Sequence, residues 1–115
     1  MNLVDFKHIK KVSVRYDDLD TFSHVNNKAY LAYLEEARAD YHRQLFKWKG
    51  LLDFNAVVAR IEINYVLPVF YGDELSLYTR ASSVGTKSFE LETIFIVKRQ
   101  EEKVKVAEAK VVWFL

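Results

Sequence analysis

Val14-Arg15-Tyr16-Asp17-Asp18-Leu19-Asp20-Thr21-Phe22-Ser23-His24-Val25-Asn26-Asn27-Lys28-Ala29-Tyr30 is the stretch whose reading settles the rest of this chain. Just upstream, His8 to Tyr16 alternates: Ile9, Val12, Val14 and Tyr16 suggest one face and Lys11, Ser13 and Arg15 the other, which predicts a first strand. The strand runs into a loop with three carboxylates, a histidine and an asparagine pair, and the loop opens a long helical pattern. A carboxylate close to a helix N-terminus can do chemistry. The unpaired backbone N–H groups there polarise a carbonyl oxygen, while the carboxylate attacks the carbonyl or activates a water.

From about Asn27 to Trp48 the apolar residues recur every three or four positions: Tyr30, Tyr33, Leu34, Ala37, Tyr41, Leu45 and Trp48 form one stripe, as in an amphipathic helix. Asn26 or Asn27 can cap its start, and Gly50 stands where a left-handed residue often stops a helix. The remainder is strand-like. In Asn55 to Val66, Val57, Ala59, Ile61, Ile63 and Tyr65 take one face and Val58, Arg60, Glu62 and Asn64 the other. Pro68 ends that segment, and Tyr71-Gly72-Asp73 is a turn signal. Strands are then expected over Glu74 to Val84, Ser88 to Arg99 and Val104 to Phe114, with turns at Gly85-Thr86-Lys87 and Gln100-Glu101-Glu102-Lys103. One strand, one long helix and a run of antiparallel strands give a single α+β domain over residues 1–115. Four aromatic residues in the helical stripe suit a helix enclosed by a curved sheet on more than one side.

Composition narrows the function. The 115 residues are 50% hydrophobic and 15% aromatic, with 1 proline and 3 glycines, which excludes disordered and collagen-like chains. A net charge of +1 gives no reason to expect a nucleic-acid binder. With no cysteine, neither a disulfide framework nor a cysteine metal site is available. No long apolar run begins the chain, so neither a signal peptide nor a membrane span is expected, and a cytoplasmic location follows as the default. A calcium loop starting at Asp18-x-Asp20 fails on spacing: Phe22 takes the third ligand position, Ser23 the required glycine and Ala29 the bidentate glutamate.

The pattern Asp18-x-Asp20-x-x-x-His24-Val25-Asn26-Asn27-x-x-Tyr30, followed by Leu34-Glu35-Glu36-Ala37-Arg38, resembles the hotdog-fold acyl-CoA thioesterases, in their 4-hydroxybenzoyl-CoA thioesterase-like branch. The resemblance runs from about Val12 to Phe114. It implies the hotdog fold, one long helix wrapped by a curved antiparallel sheet. It also implies that Asp20 sits beside the thioester carbonyl as nucleophile or general base, with the backbone N–H at Asn27 pointing toward the thioester oxygen. Ser23 stands where many such relatives carry glycine, at a position Ser tolerates poorly if φ is positive.

The same resemblance implies a homodimer whose sheets join edge to edge, or a tetramer of two such dimers. Asp20 of one subunit then meets strand residues of the other, the Asn55–Val66 segment being the expected contribution. His24, Val25, Asn26 and Tyr30 are candidate substrate contacts, and Phe22, Val25, Tyr30 and Tyr33 candidate walls of an acyl pocket for neutral groups. Arg60, Lys87, Ser88, Lys98 and Arg99 are candidate contacts for the coenzyme A phosphates. No bound cofactor is expected, because coenzyme A arrives with the substrate.

Plainer readings stand beside each of these. An aspartate in a loop commonly makes a turn or caps a helix, the asparagine pair can serve as pure caps, and Tyr30, Tyr33 and Arg38 suit core packing and an ion pair with Glu35. An acyl carrier protein thioesterase and a non-catalytic acyl-CoA binder on the same fold are the functional alternatives. Relatives of this kind run somewhat longer than 115 residues.

Overall fold

Period-2 and period-3.6 patterns sort the described residues into five strands and one long helix. The computed structural model describes residues 2–46 and 57–114. Strand β1 spans His8–Val12, helix α1 Asn27–Phe46, β2 Val57–Tyr65, β3 Leu75–Val84, β4 Ser88–Arg99 and β5 Glu102–Phe114. The strands form one antiparallel sheet in the order β1-β3-β4-β5-β2. The sheet curves around α1, the expected α+β architecture.

The helical stripe is what the sheet encloses. Tyr30, Tyr33, Leu34 and Ala37 are buried in one cluster with Leu75 and Leu77 of β3, Phe95 and Val97 of β4, and Ala107, Ala109, Val111 and Trp113 of β5. Tyr41 continues the stripe as a buried residue. Burying a side chain of the leucine or phenylalanine class contributes roughly 1.5–3 kcal/mol, so this interface dominates the stability of α1. Trp48 and Gly50, expected at the end of the helix, lie outside the described residues, as does Asn55.

The other face of the sheet carries a second, smaller cluster. Tyr78, Ile94 and Ile96 are buried there under Phe6, with Leu3 packed against them. The guanidinium of Arg80 lies 4.4 Å from the centroid of the Phe6 ring.

Three details depart from the alternation pattern. The first strand stops at Val12. Tyr16, expected on the core face, opens a short 3-10 turn, Tyr16–Asp18, and is exposed; Ile9 is exposed as well. In β2 the pairing with β5 shifts register between Val58 and Arg60. That bulge moves Val58 opposite the buried Trp113, into the row of Ile61, Ile63 and Tyr65, while Val57 pairs with Phe114 on the other row. A one-residue insertion reverses the faces upstream of it. Finally, β4 and β5 are joined by only two residues, Gln100 and Glu101, both at positive φ (51° and 67°).

Candidate active site

The loop between the 3-10 turn and α1 is held from both sides. Asp18 is its inner anchor. This carboxylate is only 7% exposed, accepts the Arg15 backbone N–H at 2.9 Å and receives the Tyr33 hydroxyl at 2.7 Å. Burial pushes its pKa up, but the Arg15 N–H, the Tyr33 hydroxyl and the Arg15 guanidinium outweigh that and hold it below the ordinary aspartate value. Tyr33 is correspondingly held neutral, by burial first and by the facing carboxylate second. The Asp18 carbonyl also accepts the Asn26 N–H at 2.7 Å. Asp17, next door, is exposed.

Asp20 folds the loop on itself. Its Oδ1 accepts the backbone N–H of Phe22 at 2.8 Å and of His24 at 3.2 Å. Its own N–H donates to the His24 carbonyl at 2.8 Å, and Leu19 bridges to Val25. Ser23 takes the positive φ, 66°, that this turn requires. Between the two expected caps the structure selects Asn26. Its side-chain oxygen accepts the Lys28 N–H at 2.9 Å and its carbonyl the Ala29 N–H at 2.9 Å. Asn27 is thereby the first helical residue, one of those whose N–H has no acceptor within the helix.

Beyond this loop lies an open cleft of about 250 Å³. Asp20, His24, Val25, Asn27 and Tyr30 line it from the helix side, and Tyr65, Val66, Leu67 and Pro68 from the end of β2. Tyr30 is almost wholly buried, edge-on to Tyr65 at 4.9 Å and tilted against Phe95 at 5.4 Å. Burial and the neighbouring Tyr65 push its pKa up to about 12, so it stays a neutral wall. Among the described residues that line the cleft, Asp20 is the only carboxylate, and the far wall carries no charged side chain.

Within one chain the sequence-derived candidates divide into two groups. Asp20, His24, Val25, Asn27 and Tyr30 converge on the cleft, with Asn26 capping the helix beside it. Phe22 points away, 78% exposed. Arg60 lies exposed on β2, paired with Glu62 at 3.0 Å. Lys87 and Ser88 lie at the other end of the molecule: the next residue, Phe89, meets the His42 ring at 5.9 Å, near the far end of α1. Fifteen helical steps of about 1.5 Å put that end roughly 22 Å from Asn27. Lys98 pairs with Glu101 at 3.6 Å, and Arg99 binds the Pro68–Asp73 loop.

Sequence reasoning missed the β2 end, Tyr65 to Pro68, as a wall of the cleft. Those residues are far along the chain from Asp20, and their only local signal was Pro68 ending a strand. It also gave Tyr33 no role beyond the core and the pocket wall, because a buried tyrosine looks the same in a pattern whether or not a carboxylate meets its hydroxyl.

The pattern that defines the thioesterase-like superfamily matches residues 14–115. The chain is similar to the long-chain acyl-CoA thioesterase FadM of Escherichia coli K12, with 36% identity over 80 residues that cover 68% of this chain and 61% of FadM. It is similar to protein YsmA of Bacillus subtilis strain 168, with 35% identity over 86 residues that cover 75% of this chain and 58% of YsmA. The chain therefore spans less than two thirds of the length of either curated relative. Among solved structures it is similar to a thioesterase from Thermus thermophilus complexed with coenzyme A and zinc. The TM-score is 0.79 and the identity 32%, and the match covers 92% of this chain and 76% of that one.

Proposed function

The chain belongs to the thioesterase-like superfamily, and from that premise we propose that it hydrolyses an acyl-CoA thioester to a free acid and coenzyme A, with Asp20 as the reacting carboxylate. The observation that carries this reading is the meeting of Asp20 and the first turn of α1 in one cleft whose far wall is uncharged. The two N–H groups on Oδ1 orient the carboxylate. The Asn27 N–H, reinforced by the positive end of the helix dipole, is the donor for the developing oxyanion.

Two routes fit these groups. As general base, Asp20 takes a proton from water; the hydroxide adds to the carbonyl, and the tetrahedral intermediate expels the thiolate, which is then protonated. As nucleophile, Asp20 attacks the carbonyl and expels the thiolate, and water hydrolyses the resulting mixed anhydride. The uncharged wall of Tyr65, Val66, Leu67 and Pro68 has no cation to pair with a charged tail, which supports a neutral acyl group.

The Asx-type turn made by Asp20 favours one rival, in which the carboxylate only staples the loop of a non-catalytic acyl-CoA binder. Asp20→Asn separates the two, because an asparagine Oδ1 still accepts both N–H groups but is neither base nor nucleophile. Turnover of an acyl-CoA panel, read by released thiol, is expected to fall by about a hundred- to ten-thousand-fold with the fold retained. Wild-type rates in Asp20→Asn would refute the assignment.

A further inference from the structure

Arg99 ends β4, and its guanidinium reaches across to the loop that follows β2. One nitrogen, Nη2, donates to the Pro68 carbonyl at 2.7 Å and to Asp73 Oδ2 at 2.8 Å. The Arg99 side chain is 28% exposed and that of Asp73 16%, so solvent screens this pair only partly. Asp73 Oδ2 in turn accepts the Phe70 N–H at 2.8 Å, and the Asp73 N–H returns to the Phe70 carbonyl at 3.1 Å. The cation also lies 5.5 Å from the Phe70 ring centroid.

This loop is what the His24–Asn27 entrance rests on. The Phe70 ring stands edge-on to His24 at 5.2 Å, and the two backbones bridge. The Val69 carbonyl accepts the Val25 N–H at 2.8 Å, and Val69 is fully buried. His24 supplies the carbonyl that takes the Asp20 N–H. Every link from Arg99 to Asp20 is thus a hydrogen bond or a ring contact, while Asp18 holds the loop from its other side through Tyr33 and the Asn26 N–H.

We propose that Arg99 is a positioning residue of this site: through Pro68, Phe70 and Asp73 it fixes the strip on which His24 and Val25 are registered, and so the placing of Asp20 against the first turn of α1. This rests on the thioesterase reading for its kinetic consequence. It replaces the expectation that Arg99 contacts the coenzyme A phosphates, since Asp73 already takes its charge.

The test uses Arg99→Met, Arg99→Lys and Asp73→Asn in the full chain, assayed on an acyl-CoA and on the matching acyl-pantetheine, which lacks the nucleotide. Arg99→Met is expected to lower kcat by about tenfold or more on both substrates, with KM within about twofold, because a small misplacement of a catalytic group is costly in rate. Arg99→Lys keeps one charge-assisted bond and recovers part of the loss. Amide exchange at Val25 and Asp20 should quicken in Arg99→Met while the β3–β4 amides keep their wild-type protection. An unchanged kcat, a rise in KM confined to the CoA substrate, or exchange that quickens uniformly would each overturn the proposal. Should Arg99→Met fail to fold, Arg99→Lys and Asp73→Asn carry the same readouts. If the wild type hydrolyses no thioester, the functional reading fails, and the exchange pattern alone decides the role of Arg99.

Discussion

Two buried titratable side chains give the molecule an acid limit, and their signs can be worked out one at a time. Burial, and then the Arg38 cation, push the pKa of His42 down to about 4. Its contribution is complete above the unfolded value near 6.5 and is lost as pH falls from there to about 4; a shift of that size corresponds to up to about 3 kcal/mol. Asp18 has a folded pKa below its ordinary value, so its contribution is present above about pH 4 and is lost below that. Urea unfolding across pH should show stability falling in two stages. His42→Phe, which keeps a ring against Phe89 and Trp113, should flatten the upper stage only, and Tyr33→Phe, which lets the folded Asp18 pKa rise toward its unfolded value, should shrink the lower stage. A single drop below pH 4 in the wild type would remove His42 from the account. Neither partner set was visible in the sequence. The resemblance singled out Asp20 among the three carboxylates, and the fold adds that Asp17 is exposed and Asp18 buried against Tyr33.

At the scale of elements, two turns that the sequence located carry left-handed residues other than glycine. Ser23, where glycine was expected, does adopt positive φ, and Glu101 does the same in the two-residue β4–β5 connection. A two-residue hairpin with both residues left-handed favours Asn-Gly; the turn was expected over Gln100 to Lys103, and without that signature its length of two residues was not legible. Ser23→Gly and Glu101→Gly should each stabilise the fold by about 0.5–1 kcal/mol, the gain from φ exceeding glycine's entropic cost. Thermal unfolding checks this, and a lower melting temperature in either variant contradicts it. The helix and the three long strands were readable because each spans many periods of one pattern. The Ala59 bulge was not, since an extra residue leaves composition unchanged and only reverses which residues face the core.

The whole molecule has an edge that calls for a cover. Among the described residues, strand β2 pairs on one side only, and Val57, Val58, Ile61, Tyr65, Val66 and Leu67 are exposed along it. An apolar, unpaired edge of this kind invites a second strand. If two copies join antiparallel along β2 about a two-fold axis, the Val57 end of one lies against the Tyr65 end of the other. Across the sheet, Val57 and Ser88 both pair with Phe114, so the Lys87–Ser88 turn of one copy approaches the Asp20 cleft of the other. That arrangement would bring Lys87 and Ser88 to the cleft residues from which a single chain keeps them about 20 Å apart. Sedimentation equilibrium should give a dimer or a tetramer, and Lys87→Glu should raise KM for acyl-CoA while leaving acyl-pantetheine unaffected. A fully active monomer at micromolar concentration would sink this. The sequence could name Lys87 but not its neighbours, because in such a dimer the proximity would arise only between copies.

The strand order also sets a timetable. β3, β4 and β5 are consecutive hairpins, whereas His8 must find Thr79 and Tyr65 must find Ala107 across long stretches of chain. Closing those loops costs entropy before any contact repays it, so the three-strand meander and α1 form the nucleus, and both edges dock late. In stopped-flow experiments Ile94→Val in β4 should therefore slow refolding, while Val12→Ala in β1 should chiefly hasten unfolding; the reverse pattern would move the nucleus to the edges. One of the two late strands, β2, is also the one that carries the apolar edge. The edge open to a second copy is thus completed only late in folding, after the meander and helix are in place.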